Sequence, residues 1–205
     1  MSQGVKELAD DTLDPVALAC SRICHDLVNP LSAIAGGAEL LGLQAGSSPE
    51  LALVSESVAA AMARIRFFRI AFGAPGEGQS IASREIRTLL EELQRGSRIQ
   101  YDWRSEAAHH RADLRAVFLL MQCCETAMTA GGTIKVENGD TWTIEVTAKR
   151  LNRDPALWDR LTAPPRPADG LPPSHVHFLL LPQVLSQLGR RLRIEANETA
   201  LTARF

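Results

Sequence analysis

Residues 21–41 read SRICHDLVNPLSAIAGGAELL, and the spacing of their apolar positions decides the fold of the first part of the chain. Apolar or small side chains recur at alternating intervals of four and three residues, at Cys20, Cys24, Leu27, Leu31, Ile34, Ala38 and Leu41. This heptad pattern predicts a long helix with a narrow seam that packs against other helices. Asp14 and Pro15 predict its start, because a capping carboxylate followed by proline suits the first helical turn.

A second helix with the same pattern follows a short polar connection. Ser48-Pro49-Glu50 predicts its N-terminus, and its seam is formed by Leu51, Val54, Val58, Ala61, Ile65, Phe68 and Phe72. Two antiparallel helices that each carry a seam cannot hide both seams from water by themselves. We therefore predict that the hairpin dimerises into a four-helix bundle. The alternative is that the hairpin packs against the rest of its own chain.

The sequence pattern changes at GAPGEGQS, residues 73–80, a loop rich in glycine and proline. This loop predicts a boundary between a helical domain at residues 1–73 and a second domain at residues 80–205. Beyond it the predicted elements are a helix at 83–96, a strand at 97–103, a helix at 112–130, a β-hairpin at 133–146 with a turn at Asn138-Gly139, a short helix at 154–161, an apolar helix at 175–189 and two strands within 190–205. The predicted fold class is α+β: a helical hairpin followed by an α/β sandwich of helices on an antiparallel or mixed sheet.

The composition is that of a folded protein without a general attraction to polyanions. Of 205 residues, 45% are hydrophobic and 22% are charged, which is enough to bury a core, and the net charge is −2. No apolar run approaches the roughly 20 residues that span a membrane, and the polar N-terminus lacks the apolar centre of a signal peptide. The spacing of Cys20, Cys24, Cys123 and Cys124 predicts buried free thiols. We expect a cytoplasmic protein with no nucleic-acid or membrane partner.

One face of the first helix is the candidate functional site. The residues that share this face with His25 are polar or small: Arg22, Asn29, Ser32 and Gly36. Histidine suits phosphoryl transfer because it offers a neutral ring nitrogen at cellular pH. We assign His25, Asp26 and Asn29 to the catalytic site, although Asp26 lies about 100° around the helix and spacing does not fix its role. Arg22, Ser32 and Gly36 are assigned to contact with a partner protein.

The proline after Asn29 supports a function for this face. Proline inside a helix removes a hydrogen bond and costs about 3 kcal/mol, so its presence one turn beyond His25 suggests that function offsets the cost. The alternative, that His25 is an exposed helix residue with no task, stays open from the pattern alone.

The segment HDLVNPLSAI, residues 25–34, resembles the H-box of two-component histidine kinases. There a phosphoacceptor histidine is followed by an acid and, five residues on, by proline. The longer stretch 21–41 resembles more specifically the ChpT-like histidine phosphotransferases of alphaproteobacteria. This resemblance runs through both halves of the chain. It implies a dimerisation hairpin followed by a domain built like the ATP-binding domain of the kinases.

The second domain lacks the sequence features of a kinase nucleotide site. Two asparagines of the kinases, one of them a magnesium ligand, correspond here to Gln122 and Thr126. The segments TAKRLNRD (147–154) and PPSHVHFLLLP (172–182) contain no glycine where the kinases have glycine-rich nucleotide-binding turns. His175-x-His177, and His109-His110 in a predicted polar loop, lack companion ligands for a metal. We predict that the chain binds no ATP, no other cofactor and no metal of its own.

The resemblance implies a phosphotransferase that relays a phosphoryl group between receiver-domain aspartates of response regulators through His25. The receiver would supply Mg²⁺, a hybrid kinase would be the donor, and regulators of the CtrA and CpdR type would be the acceptors. Two alternatives are an ATP-dependent sensor histidine kinase core and a non-catalytic dimeric scaffold that binds receivers.

Overall fold

The computed structural model describes residues 15–46, 48–74, 76, 78–163 and 170–205. The α-helices are α1 (Pro15–Ala45), α2 (Pro49–Ala71), α3 (Ser83–Gln94), α4 (Arg111–Ala127), α5 (Pro155–Trp158) and α6 (His177–Gln187). The strands are β1 (Ser80–Ile81), β2 (Ile99–Trp103), β3 (His109–His110), β4 (Gly132–Asn138), β5 (Trp142–Thr147), β6 (Arg193–Ala196) and β7 (Ala200–Arg204). The prediction of an α+β fold with an N-terminal helical hairpin is confirmed.

The hairpin is formed by α1 and α2, which pack against each other. Helix α1 starts at Pro15, as predicted, and continues through Pro30 without a break. Asp14, the predicted cap of this helix, lies outside the described residues. At the start of α2 the Ser48 hydroxyl accepts a hydrogen bond from the Leu51 N–H at 3.2 Å. The predicted N-terminus of α2 is therefore confirmed, and its hydroxyl satisfies one of the free N–H groups of the first turn.

The predicted seam of α1 divides into a covered and an uncovered part. Cys24 and Ala38 are buried, whereas Leu27, Ile34 and Leu41 are exposed. The reason is geometric, because a helix that packs mainly on one neighbour covers only one side of a heptad seam. Within one chain, an apolar stripe of α1 therefore remains in contact with solvent.

The C-terminal end of α2 packs on α3 and α4. Its side chains Ala63, Phe67, Ile70 and Ala71 belong to the same buried core as the rest of the chain. The alternative packing, of the hairpin against its own chain, is thus observed at this end of α2. The division into domains at residues 1–73 and 80–205 stays a prediction, since the core is continuous across it.

The five-stranded sheet has the order β2-β4-β5-β7-β6. Strands β2 and β4 are parallel and are joined through α4, and the remaining neighbours are antiparallel. Alternate residues of β4 and β5 face the core, as predicted, and the buried ones are Ile134, Val136, Trp142, Ile144 and Val146. On the intervening positions Lys135 bonds Glu137 and Glu145 at 2.8 and 3.0 Å.

Two local predictions were wrong. The connection between β4 and β5 has three residues instead of a two-residue turn, because Asn138 pairs with Trp142 and Gly139 does not adopt a positive φ. His109 lies in a strand and not in a polar loop. Its ring is buried against Trp103 and Trp142, a tertiary contact that local polarity does not reveal.

Candidate functional site

His25 presents its imidazole on the outer surface of α1. The side chain is 69% exposed. Its Nδ1 lies 3.3 Å from an Asp26 carboxylate oxygen. An ionised carboxylate accepts hydrogen bonds and does not donate them, so this contact favours the neutral tautomer in which Nδ1 carries the proton and Nε2 keeps a lone pair. The arrangement thus leaves Nε2 directed away from Asp26.

Asp26 is held by Arg22 as well as by His25. The Arg22 Nε–H donates to the second Asp26 carboxylate oxygen at 2.8 Å. The hydrogen bonds from His25 and from Arg22, with the Arg22 charge, hold the pKa of the Asp26 carboxyl below its usual range. Asp26 therefore stays ionised and can fix the orientation of the imidazole.

Sequence analysis did not predict the hydrogen bond between Arg22 and Asp26. We placed Arg22 beside His25 and left the role of Asp26 open. The signal was available, because an arginine and an aspartate four residues apart lie on one side of a helix. The structure brings together His25, Asp26 and Arg22. The Asp26 carboxylate lies between the other two side chains and accepts a hydrogen bond from each.

The remaining predicted site residues continue along α1 toward the hairpin tip. Asn29 and Ser32 are exposed, and Gly36 is half-buried. A Cβ added at Gly36 would meet no atom within 4 Å. The packing of this chain therefore does not require glycine there, and the bare backbone is open to a partner.

Two leucines that sequence analysis did not assign extend the same face. Leu40 and Leu43 follow Gly36 at four and seven residues and are 61% and 81% exposed. Their helical spacing from Gly36 was the signal that could have found them. Large exposed apolar side chains in line with a functional group are typical of a protein-binding surface.

The base of the site is fixed to the second part of the chain. The Ser21 hydroxyl, one turn before His25, accepts a hydrogen bond from the Ala74 N–H at 3.2 Å. Beside it the Arg111 guanidinium donates to the Arg69 carbonyl oxygen. These contacts join α1, the end of α2 and the start of α4, and they hold the turn that precedes His25.

Of the two positions that correspond to kinase nucleotide ligands, Thr126 is engaged within the fold, whereas the Gln122 Oε1 is buried and has no hydrogen-bond partner among the described residues. The Thr126 hydroxyl donates to the Cys123 carbonyl oxygen at 2.6 Å, inside its own helix. Cys123 and Cys124 are buried, and burial raises the pKa of both thiols. His177 is buried as well, and its pKa is lowered to about 4 by burial and by the neighbouring His175.

All four cysteines are free, and three of them are buried; Cys20 is only partly covered.

Across the described ranges no three His, Cys, Asp or Glu side chains are grouped so that they could hold a metal ion. Among the same residues, none of the helices combines the length and apolar character that crossing a membrane requires.

Comparison with known proteins gives concordant results. A sequence model of the histidine phosphotransferase C-terminal domain matches residues 83–200. The protein phosphotransferase ChpT of Brucella abortus (strain 2308) is 32% identical over 195 residues, which are 90% of this chain and 91% of that protein.

Solved structures match as well. A bacterial phosphotransferase superimposes with a TM-score of 0.63 and 25% identity, over 96% of this chain and 98% of that chain. The histidine kinase domain of the blue-light-activated kinase EL346 of Erythrobacter litoralis matches with a TM-score of 0.42 and 14% identity, over 91% and 90% of the two chains. The family match over more than half of the chain and the full-length relative lead to one conclusion: the chain belongs to the ChpT-like histidine phosphotransferases.

Proposed function

We propose that this phosphotransferase relays a phosphoryl group between receiver-domain aspartates of response regulators through His25. The observation that carries the proposal is the exposed imidazole whose Nδ1 is bound to Asp26, with Nε2 left free. A nucleophile for a partner's phosphoaspartate must be reachable from outside the protein and must keep its lone pair. His25 meets both requirements.

The transfer step follows from this geometry. The Nε2 lone pair attacks phosphorus, the bond between phosphorus and the receiver's aspartyl oxygen breaks, and the carboxylate leaves with the electron pair. The proton on Nδ1 stays in its hydrogen bond to Asp26, whose negative charge stabilises the more positive ring. Attack by a second receiver's aspartate reverses the step and frees His25. The receiver supplies Mg²⁺ to the phosphoryl oxygens.

Arg22 and Asn29 support the step from the same face of α1. The Arg22 side chain is 76% exposed, and its Nε–H donates to Asp26. Guanidinium groups match phosphoryl oxygens in shape and charge. The exposed Asn29 amide lies one turn beyond His25 and can donate a hydrogen bond to the same group.

We further propose that transfer uses no ATP and that the chain has no cofactor. Support comes from Thr126, whose hydroxyl bonds its own helix, and from the missing glycines in the two segments described above. A chain of this family that only exchanges phosphoryl groups with receivers needs no nucleotide site. We also propose a cytoplasmic location, supported by the four free cysteines.

The exposed stripe of α1 supports a homodimer. Its members recur at heptad-related spacing and are all large and apolar: Val16, Ile23, Leu27, Ile34 and Leu41. The stripe lies on a different side of α1 from His25. Burial of two such stripes against each other would form a four-helix bundle with both His25 rings facing outward.

Receiver domains are the proposed partners, and the surface between His25 and Leu43 is the proposed contact. It combines the polar residues Ser32 and Asn29 with the exposed leucines Leu40 and Leu43. By resemblance, a hybrid-kinase receiver is the first donor to test, and regulators of the CtrA and CpdR type are the first acceptors.

The decisive experiment mixes the purified chain with a receiver carrying a radiolabelled phosphoryl group on its aspartate. We expect label that is acid-labile and base-stable to appear on His25 and then move to a second receiver. The His25→Ala variant should bind receivers and take up no label. A chain that binds receivers while label never moves would be a scaffold. Label on His25 from γ-labelled ATP alone would identify a kinase core.

A further inference from the structure

A cleft lined by arginines lies where the end of α2 meets α3 and the start of α4. Its volume is about 350 Å³. The floor is apolar and includes Ile70, Ile86 and Leu89. The cationic side chains that line it come from three helices: Arg66, Arg69, Arg84 and Arg111. Such a combination of apolar floor and convergent cations is typical of a binding surface for anionic groups.

The positive charge of this cleft is only partly neutralised. Arg66 pairs with Glu92, and one further carboxylate, Glu85, lines the cleft. Arg69 and Arg84 form no ion pair with any side chain in the described part of the chain. A cleft with this surplus of cations favours a negatively charged ligand.

Arg111 is held in an environment that an anion would improve. Its guanidinium donates to the Arg69 carbonyl oxygen, but its Nε is buried and finds no acceptor among the described residues. Burial and the charges of Arg69 and Arg115 lower the pKa of Arg111. A buried donor without an acceptor costs free energy, and a carboxylate bound in the cleft would offset the repulsion between Arg111 and the neighbouring arginines.

The start of α3 adds to the positive potential. Ala82 occupies the N-cap position and offers no side-chain acceptor to the first N–H groups, and Arg84 lies in the first turn. The N-terminal end of a helix carries a partial positive charge. This end therefore adds to the charge of the arginines, and Glu85 in the same first turn offsets part of it.

The cleft lies next to the phosphotransfer face. Arg111 Nη2 and Ser21 Oγ both lie 3.1 Å from the point where a Cβ at Gly73 would stand. Ser21 precedes His25 by one helical turn, a rise of about 5–6 Å. A typical protein interface covers about 800 Å² on each partner. A receiver centred on His25 therefore extends over the end of the hairpin near Ser21, where it meets the second part of the chain.

We propose that the arginine cleft receives carboxylate side chains at the edge of the acidic phosphorylation site of the docked receiver. The inference rests on the proposed function and adds a second contact point to it. The contacts on α1 from His25 to Leu43 position the receiver from one side. The cleft positions it from the other side and selects receivers whose facing edge is acidic.

The test uses a receiver that exchanges label with His25 in the experiment above. Arg84→Glu reverses a charge in the cleft, and Arg87→Glu is the matched control. Arg87 lies one turn further along α3, outside the cleft, and bonds Glu106 at 2.9 Å. The double variant Arg69→Ala/Arg84→Ala tests removal of charge without reversal. Circular dichroism and thermal melting verify that each variant is folded.

We expect Arg84→Glu to raise the receiver concentration needed for half-maximal transfer roughly tenfold, with the maximal rate nearly unchanged. The double variant should flatten the dependence of transfer on salt concentration. Arg87→Glu should behave like the unsubstituted chain. Substitution of an acidic receiver residue by arginine should restore transfer to Arg84→Glu.

Four results would overturn the proposal. Unchanged half-maximal concentrations for both cleft variants, with label still reaching His25, would remove the cleft contact and leave the relay intact. Equal losses in Arg84→Glu and Arg87→Glu would show a diffuse charge effect. Thermal stabilisation by inorganic phosphate that Arg84→Glu abolishes, without any change in transfer, would identify a small-anion site. If no receiver labels His25, the proposed function fails and the cleft contact fails with it.

Discussion

In the proposed relay, the proton on the His25 ring decides which nitrogen attacks phosphorus. Asp26 accepts from Nδ1 and from Arg22 Nε, and the hydrogen bond from His25, followed by the hydrogen bond and the charge of Arg22, lowers the pKa of the Asp26 carboxyl. A phosphoryl group on Nε2 makes the ring more positive, so the nearby carboxylate also stabilises the phosphorylated form. At the scale of single residues, the hydrogen bond between His25 and Asp26 prepares the imidazole for the proposed transfer.

Replacement of Asp26 by asparagine tests this arrangement. The Asp26→Asn variant keeps the size of the side chain and loses the charge, and the new amide can turn an N–H toward the ring. A carboxylate that orients a functional histidine typically accounts for about 10- to 100-fold in activity, and an exposed one lies at the low end, so we expect a phosphotransfer rate about tenfold lower. The rate is measured with labelled receiver, and the tautomer is read from the ¹⁵N shifts of His25.

The control for this variant is Ser32→Ala, which removes an exposed hydroxyl on the same face without touching the imidazole. It should leave the tautomer unchanged. An Asp26→Asn variant with the original ¹⁵N shifts and the original rate would contradict the role given to the carboxylate.

Helix α1 has three faces that differ in their surroundings. One face packs on α2, a second carries His25, and a third exposes the apolar stripe Val16, Ile23, Leu27, Ile34 and Leu41. The separation of the second and third faces would allow one helix to take part in the proposed dimer and in the proposed receiver docking at the same time. This arrangement is a property of the whole helix α1 and not of any single residue.

A charge in the apolar stripe should prevent dimerisation. Ile34→Glu places a carboxylate at the centre of the proposed four-helix bundle, where an unpaired charge is costly. We expect a monomer by light scattering at concentrations where the unsubstituted chain is a dimer. Leu43→Glu, on the His25 face, should remain a dimer. Equal oligomeric states for the two variants would show that the stripe is not the interface.

The joint between α2 and α4 is a second element-scale feature. The Glu125 carboxylate accepts from Arg64 Nη1 at 3.0 Å and from the Tyr101 hydroxyl at 2.8 Å. The Glu125 side chain is only 15% exposed. Burial and the Glu125 charge raise the pKa of Tyr101, so its phenol stays protonated and donates.

Glu125→Gln should therefore lower the free energy of unfolding by about 1–3 kcal/mol, because one of the two donors loses a charged acceptor. Urea denaturation measures the change. The exposed ion pair of Arg87 and Glu106 serves as the comparison. We expect Arg87→Gln to change the free energy of unfolding by less than about 1 kcal/mol. A larger loss for Arg87→Gln than for Glu125→Gln would contradict the importance of the joint.

The stability of the whole molecule should depend on pH through buried histidine. The pKa of His177 is lowered to about 4 by burial and by His175, against a usual value of 6.5. The unfolded chain binds the proton first as pH falls, so stability is present above pH 6.5 and is lost between pH 6.5 and 4. Each unit of this difference corresponds to about 1.4 kcal/mol.

Urea midpoints measured from pH 8 to pH 4 test this dependence. His177→Phe keeps the apolar contacts with Phe178 and removes the titrating group. We expect its midpoint to vary less with pH than that of the unsubstituted chain. An identical pH profile for both proteins would assign the acid sensitivity to other groups, such as His109, whose pKa is also lowered by burial.

The local sequence determined most of the secondary structure and the position of the candidate site. Heptad spacing predicted α1 and α2, alternation predicted β4 and β5, and the neighbours of His25 predicted its exposed polar face. These features depend on residues within one or two turns, or on alternate positions of a strand, so spacing alone reveals them. The resemblance at residues 21–41 indicated the family for the same reason.

Only the tertiary structure decided which apolar stripe of α1 is covered, where His109 is buried, and that the end of α2 shares the core of the second part. It also decided that Arg69, Arg84 and Arg111, far apart in the sequence, line one cleft beside the His25 face. Contacts of this kind depend on how segments that are distant in the sequence approach each other. The spacing of apolar residues within one helix or strand does not show which other helix or strand packs against it.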